Sequence, residues 1–232
     1  MKYINAHCHH DTNRPAECVG IILNAAREAD WGTVVQHVAE NPDTHGAIGI
    51  HPWQIESVTP GWDMRLGKIL QATPRLMLGE TGLDSHRPDI AHQAALFVRH
   101  LEIAKQFDRA VQIHCVGAWD LLLSVLADFR GPVIMHAFSG STEVMQRIAA
   151  KYNVWFSFGP GILDGRHVRM RRAVAAADAG RILVESDDMP HNVIPDIIRV
   201  IADIRGIEMH TAADIIYNNT IQVLNYGQTA QN

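Results

Sequence analysis

The chain has 232 residues, of which 47% are hydrophobic, and its formal net charge at pH 7 is −5. A chain of this length buries one sizeable core, which suits a single α/β barrel or two small domains. The negative charge argues against a protein that binds nucleic acid over its whole surface. The three cysteines include no C-x-x-C pair, which argues against a disulfide scaffold and favours a reducing compartment.

The sequence gives no sign of a domain boundary. No low-complexity tract, charge block or Ser/Gly linker is found, so we expect one domain over residues 1–232 and a monomer. Residues 228–232 are predicted to be a frayed tail. There is no amino-terminal apolar signal segment and no apolar run near about 18 residues, so we expect a cytoplasmic protein that does not enter the membrane.

Short apolar runs alternate with amphipathic segments along the chain. The predicted strands are residues 2–8, 18–23, 46–50, 75–80, 110–114, 132–136, 153–158 and 181–186. Runs that are apolar throughout, such as residues 133–135 and 182–184, suit a parallel sheet whose outer face is covered by helices. Eight strand–helix repeats predict a TIM (β/α)8 barrel, although the chain is slightly shorter than the roughly 250 residues typical of that fold.

The first connection is too short for a normal repeat. Only residues 9–17 separate the first two predicted strands, whereas a parallel crossover needs about a dozen residues or more. Residues 11–15 are turn-like and lack a helical period. We therefore expect a barrel without a regular first covering helix, and a misplaced second strand is the alternative.

Histidines and carboxylates recur at the ends of six predicted strands. In barrels of this type, the reactive groups lie at the carboxyl ends of the strands. Alternation along a strand puts His7 and His9 on one face, and likewise Glu185 and Asp187. Neutral imidazoles with carboxylates suit zinc and other divalent first-row metals. The candidate residues are His7, His9, His51, Glu80, His114, His136, Glu185 and Asp187.

The other histidines carry less weight. Any single histidine has about an even chance of being a hydrogen-bonded structural residue, and His-x-His alone is a weak signal. The helical stretches contain His37, His92 and His100, which we expect to be structural or solvated. Turns and helix edges contain residues that we do not expect to be ligands, namely His10, His45, His86, His191 and His210.

Six motifs hold these residues. They are Asn5-Ala-His-Cys-His9, Gly49-Ile-His-Pro52, Gly79-Glu-Thr-Gly-Leu-Asp84, Ile113-His-Cys115, Met135-His-Ala-Phe-Ser-Gly140 and Glu185-Ser-Asp187. In this order they resemble the motifs of the TatD family, which are metal-dependent hydrolases of the amidohydrolase superfamily generally described as deoxyribonucleases. The resemblance extends from residue 2 to about residue 226.

The resemblance implies two divalent metal ions, which would be zinc, magnesium or manganese. One ion would be held by His7, His9, Glu80 and Asp187. The second would be held by Glu80, as a bridge, with His114 and His136. Asp187 would be the general base, Glu185 would orient a ligand or the substrate, and His51 would donate a hydrogen bond to the scissile phosphate.

Three functions are consistent with these residues. The resemblance implies a deoxyribonuclease that cleaves phosphodiester bonds with water activated by two metal ions, acting on single-stranded DNA or on DNA ends because no large basic groove is evident. The alternative is hydrolysis of a small ester, lactone, amide or phosphodiester. A non-catalytic metal-binding scaffold is the third, and the complete ligand set, which keeps both Glu80 and Asp187, argues against it.

The chain departs from the family pattern at several places. Asn5 replaces the usual Asp, which bears on the support of the ligands more than on ligation. Trp53 replaces a histidine and either stacks on a base or packs under the rim. One residue is inserted after Ser186, so Asp188 competes with Asp187, although strand alternation favours Asp187.

A polar loop that usually follows this motif is absent, and the chain enters a predicted helix over residues 193–205. The missing loop keeps the small-substrate alternative open. A basic cluster over residues 166–172, including Arg166, either contacts phosphates or forms a solvated helix face.

Overall fold

The computed structural model describes residues 1–226, so the predicted tail lies outside the described residues. Eight strands form one sheet in sequence order, and every neighbouring pair is parallel. The strands are β1 (Tyr3–Cys8), β2 (Cys18–Asn24), β3 (Thr44–Ile48), β4 (Leu76–Asp84), β5 (Val111–Val116), β6 (Val133–Met135), β7 (Val154–Phe158) and β8 (Ile182–Val184). The predicted TIM barrel is confirmed.

Helices alternate with the strands from β2 onward, and two helices follow β8. They are α1 (Trp31–Glu40), α2 (Trp62–Ala72), α3 (Ile90–Gln106), α4 (Trp119–Val125), α5 (Thr142–Ala149), α6 (Val168–Ala176), α7 (Ile194–Arg205) and α8 (Met209–Leu224). None of the helices within residues 1–226 combines the length and apolar character needed to cross a bilayer.

The connection between β1 and β2 contains no helix, as the sequence predicts. Its ends are fixed by backbone hydrogen bonds, from the Tyr3 amide to the Glu17 carbonyl (2.9 Å) and from the Cys18 amide to the Pro15 carbonyl (2.9 Å). Within the loop, the Arg14 guanidinium bonds the Asp11 carboxylate at 2.5 and 2.9 Å. Nine residues therefore suffice for a parallel crossover when they form a loop bound by its own ion pair.

Strand β4 differs from the prediction, because it continues through Gly79 and Gly82 to Asp84. Both glycines have positive φ angles, of 141° and 145°. A Cβ atom on Gly79 would lie 2.6 Å from the carbonyl oxygen of Gln112 on β5, and a Cβ on Gly82 would overlap the His114 carbonyl. The glycines therefore allow β4 and β5 to approach closely.

Apolar side chains form two layers, one inside the barrel and one around it. The inner layer is small, and α8 adds Val223 and Leu224 to it. Its other members lie on the strands or, in the case of Ala110, directly before one: Ile4, Ala6, Ile22, Ala47, Met77, Ala110, Ile134, Trp155 and Leu183. The outer layer is larger and lies between the sheet and the helices. Because the inner layer fills the barrel, we expect ligands at the carboxyl ends of the strands.

Strands β1 and β8 close the barrel with few main-chain contacts. One bridge joins Cys8 to Asp187, and the Asp187 amide donates to the His7 carbonyl (3.1 Å). The Asn5 side chain supplies the rest: its Oδ1 accepts the Ser186 amide (3.1 Å) and its Nδ2 donates to Ser186 Oγ (2.7 Å). Asn5 thus replaces ladder hydrogen bonds at this seam.

His100 connects α3 to the loop that carries His51. Its side chain is fully buried, its Nδ1 donates to the Leu96 carbonyl (2.7 Å), and its Nε2 accepts the Ile50 amide (3.2 Å). Burial lowers the pKa of His100 to about 4. His100 therefore has one of the two roles expected for it, the structural one: it holds the backbone of the loop that carries His51 against α3.

The free energy of unfolding should fall as the pH decreases from about 6.5 to about 4, because only the unfolded chain then binds a proton at His100. The full loss is about 3 kcal/mol at roughly 1.4 kcal/mol per pH unit. His100→Gln should reduce this pH dependence in denaturant titrations. His92→Gln, an exposed position on the same helix, should leave it unchanged, and equal slopes for both variants would contradict the assignment.

Candidate metal centre

The predicted residues converge at the carboxyl end of the barrel. A pocket of about 230 Å³, here called the rim pocket, opens there. It is lined by His9, Ala26, His51, Trp53, Gln54, Glu80, His114, His136, Asp187 and Asp188. His7 and Glu185 lie directly beneath it and are fully buried. Strands β4 and β5 carry Glu80 and His114 themselves, whereas His51, His136, Glu185 and Asp187 follow the last residue of a strand.

Glu80 lies at the centre of this group and is only 2% exposed. Its Oε2 faces the Nε2 atoms of His7 (3.5 Å) and His9 (3.4 Å). Its Oε1 faces three further imidazole nitrogens, on His51 (3.2 Å), His114 (3.1 Å) and His136 (3.5 Å). Burial alone would raise the pKa of Glu80, but the histidines, His136 first among them, hold it well below its usual range. Each oxygen of one ionised carboxylate therefore serves a separate set of imidazoles.

Hydrogen bonds define the tautomers of His7 and His9. Gln112 donates from Nε2 to the Ala6 carbonyl (2.9 Å), so its Oε1 accepts from His7 Nδ1 (2.7 Å). The Nδ1 of His9 donates to the Asn24 carbonyl (3.0 Å). When the rings are neutral, as metal ligands are, both present unprotonated Nε2 atoms, which lie only 3.2 Å apart. Two lone pairs at this distance repel each other unless a cation lies beside them, which fits a metal site.

His51 has the opposite tautomer. Its Nδ1 accepts the backbone N–H of Trp53 (3.1 Å), so the neutral ring carries its proton on Nε2, which points at Glu80. His51, Glu80 and His114 are close enough together to hold one ion. The hydrogen bond from Trp53 nevertheless favours His51 as a donor over a ligand.

His136 is supported from behind by Glu185. The Glu185 Oε1 lies 2.8 Å from His136 Nδ1 and accepts the Ala137 amide (2.9 Å). Burial would lower the pKa of His136, but Glu185 and Glu80 outweigh this effect and raise it to about 10. In the absence of a metal, a proton on His136 thus supplies the positive charge that these two carboxylates require. A divalent cation fits the same requirement.

Asp187 lies on the open side of the pocket. Its Oδ1 is 3.6 Å from His9 Nε2 and 3.9 Å from His7 Nε2. Burial, together with the carboxylates of Glu185 and Glu80, raises the pKa of Asp187. Asp188 is near enough to His9 and Asp187 to share an ion with them, but only Asp187 makes ion-pair contacts with both histidines. The geometry favours Asp187 of the two.

The donor groups form overlapping sets that are each able to hold an ion. These sets are His7–His9–Glu80, His51–Glu80–His114, His7–His136–Asp187 and His9–Asp187–Asp188. The first matches the core of the expected first site. The expected second set is only partly assembled, because His136 joins His7 and Asp187 in these sets and not His114.

The two other predicted substrate contacts differ in position. Trp53 lies at the rim with 52% of its surface exposed, its indole N–H donates to Asp84 Oδ2 (2.6 Å), and the Arg87 guanidinium lies 4.0 Å from the ring centroid. The Arg166 side chain is exposed and bonds Asp164 at 2.6 Å. Arg166 does not line the rim pocket, and the solvated alternative describes it better.

Three residues near the ligands were not predicted. Gln112 fixes the tautomer of His7, and its position two residues before His114 on β5 was a usable signal, because alternate residues share a face. Asp84 lies 3.7 Å from His114 Nε2 and holds Trp53. Asn24 acts through its backbone carbonyl, for which no side-chain pattern gives a signal.

Comparison with known proteins identifies the family of this chain. The sequence model of the family described as TatD related DNase matches residues 4–225. An uncharacterized metal-dependent hydrolase of Haemophilus influenzae is 29% identical over 198 residues, which are 78% of this chain and 73% of that protein. A 3'-5' ssDNA/RNA exonuclease TatD of Erwinia billingiae is 25% identical over 69% of each chain.

A solved structure has the same fold. The TatD homologue YJJV of Escherichia coli K12 superposes with a TM-score of 0.87 at 23% identity, covering 96% of this chain and 98% of that one. At this identity the superposition speaks for the fold alone, and the family assignment rests on the sequence match. The chain belongs to the TatD family of metal-dependent hydrolases.

Proposed function

We propose that this protein is a nuclease that hydrolyses phosphodiester bonds of single-stranded DNA or of DNA ends, using two divalent metal ions. The observation that carries the proposal is the position of Glu80, a buried carboxylate whose two oxygens face different sets of imidazoles. The name of the Erwinia billingiae relative, a 3'-5' ssDNA/RNA exonuclease, supports the choice of substrate.

The ligands divide between two ions. His7, His9 and Asp187 would hold the first together with Glu80 Oε2, and His114 and His136 would hold the second together with Glu80 Oε1. Zinc, magnesium or manganese would suit these donors. When bound, such ions lower the pKa of water toward about 7 and stabilise negative charge on the attacking and leaving oxygens.

The remaining side chains either accept a proton or orient the substrate and the ligands. Asp187 accepts a proton from the attacking water, since its carboxylate is the ligand most open to solvent. His51 donates a hydrogen bond from its Nε2–H group to the scissile phosphate, as its tautomer allows. Glu185 holds the His136 ring in place, and Trp53 offers an exposed aromatic edge to the substrate.

A small ester, lactone, amide or phosphodiester remains the second candidate substrate. Within the described part of the chain, none of the residues that line the rim pocket is Lys or Arg. A long polyanion therefore finds few basic side chains at the reaction site, which is the observation that favours a small substrate.

Metal analysis tests the ligand assignment. Glu80→Gln should reduce the metal content from two equivalents to at most one, because the amide is uncharged and keeps only one of the two ligand oxygens. His114→Ala should empty mainly the second site, and Gln112→Leu should weaken the first by about 10–100-fold, since it releases the His7 ring. Elemental analysis after dialysis gives the content, and two retained equivalents in Glu80→Gln would refute the shared carboxylate.

The role of Asp187 is tested by Asp187→Asn, which nearly preserves volume but cannot accept the proton. General-base assistance contributes about 10²–10⁴-fold, so the rate of hydrolysis should fall by at least that factor while circular dichroism shows an intact fold. His51→Ala is the matched comparison: turnover should fall, but metal content should stay at the wild-type level. Metal loss in His51→Ala would instead identify His51 as a ligand.

Substrate class is decided by a metal-supplemented screen of single-stranded DNA, duplex DNA, simple phosphodiesters and carboxylic esters. Single-stranded DNA should be cleaved, and its affinity should fall only shallowly with salt, far less than the roughly 10³–10⁵-fold expected for six to ten phosphate contacts between 50 and 200 mM. Cleavage of an ester or amide with every phosphodiester left intact would replace the nuclease by the second candidate.

A further inference from the structure

A second cavity adjoins the rim pocket. It has a volume of about 380 Å³ and is here called the side cavity. Four residues line both spaces, namely His9, Ala26, Gln54 and Asp188. The side cavity is therefore continuous with the metal centre, and a substrate held at the ions has room to extend into it.

The side cavity lies where the barrel lacks its first helix. His10 lines it from the β1–β2 connection, Leu23 from the end of β2, and Thr33 and Val34 from the first turns of α1. In a regular TIM barrel a helix follows the first strand and covers this flank. The short loop over residues 9–17 leaves the space beside α1 open instead.

The walls of the side cavity suit an uncharged group. Leu23 and Val34 provide apolar surface. Asp30 and Asp188 contribute carboxylates, and the Arg27 guanidinium bonds both oxygens of Asp30 at 3.1 and 3.2 Å, which compensates its charge. A phosphate would thus meet the carboxylates of Asp30 and Asp188 beside an Arg27 side chain that is already paired, so the side cavity favours an uncharged group over a second phosphate.

Asn24 adds a specific requirement. It lines the side cavity, is only 4% exposed, and its Oδ1 has no hydrogen-bond partner within residues 1–226. Its Nδ2 donates to the Ile22 carbonyl (2.9 Å), which leaves the oxygen as the unused atom. A buried acceptor without a partner costs about 1–3 kcal/mol, and a rotation of the Asn24 side chain towards the side cavity would let a ligand N–H or O–H group relieve this cost.

We propose that the side cavity binds the nucleoside adjacent to the scissile phosphodiester, with the base against Leu23 and Val34 and a donor group of the nucleoside bonded to Asn24. The inference rests on the proposed nuclease function and extends it to a binding site. Pockets for small ligands measure about 300–1,000 Å³. A volume near the lower end of that range admits one unpaired nucleoside and not a base pair.

Nucleoside binding to the metal-loaded protein tests this site independently of catalysis, because a free nucleoside has no phosphodiester to cleave. Deoxyadenosine and adenosine are titrated by calorimetry, and methyl riboside serves as a probe without a base. Both nucleosides should bind, methyl riboside should not, and a preference between the nucleosides distinguishes a DNA from an RNA substrate. Thr33→Trp, which fills the cavity from an exposed helical position, should raise the dissociation constant at least about tenfold, equivalent to about 1.4 kcal/mol.

Gln36→Trp is the matched control, because Gln36 is exposed on the same helix and does not line the side cavity. It should bind nucleosides like the wild-type protein. His10→Phe fills the cavity from the opposite wall and should repeat the effect of Thr33→Trp, with melting temperatures verifying that each variant folds. Failure of the wild-type protein to bind either nucleoside, or equal binding by Thr33→Trp and Gln36→Trp, would overturn the proposal.

Kinetics separate this inference from the proposed function. With metal bound, Thr33→Trp should raise KM for a dinucleotide at least about tenfold more than KM for the base-free methyl 4-nitrophenyl phosphate. Nucleoside binding without hydrolysis of any phosphodiester would contradict the nuclease function but support the cavity. Hydrolysis of both substrates with equal changes in KM would contradict the cavity and leave the nuclease function standing.

Discussion

The rest of the site depends on one buried charge. Glu80 is almost inaccessible to water, and an isolated carboxylate there would cost several kcal/mol. Five imidazoles face its two oxygens. Glu80 and His114 lie on β4 and β5, and the approach of these two strands leaves no space for a Cβ atom at positions 79 and 82. The glycine backbone, the five imidazoles and the buried charge of Glu80 therefore depend on one another.

The sequence predicted the barrel well because its parallel strands are continuously apolar and its reactive residues follow a rule about strand ends. The boundaries were less accurate. Strand β3 begins and ends two residues before its predicted limits, and β4 runs to Asp84 because glycines that usually mark a turn here serve a close approach. Such a contact between strands depends on tertiary packing, which a local pattern does not contain.

The sequence predicted a set of residues and their division between two ions, but not the protonation of the histidines. Which nitrogen of each histidine carries a proton depends on partners such as Gln112 and the Asn24 carbonyl, and these become visible only in three dimensions. The opposite tautomers of His7 and His51 therefore could not be read from the motifs. The missing first helix was predicted, whereas the cavity that it leaves was not.

The seam between β1 and β8 links metal binding to the stability of the barrel. His7 and His9 come from one side of this seam and Asp187 from the other, while Asn5 and a single bridge supply most of its hydrogen bonds. An ion held by these three residues would fasten the barrel where its sheet is least continuous, and its binding free energy would add to that of folding. Loss of the metal would then abolish activity and would also allow the seam between β1 and β8 to open locally. Proteases could cleave the opened chain, which would shorten its lifetime.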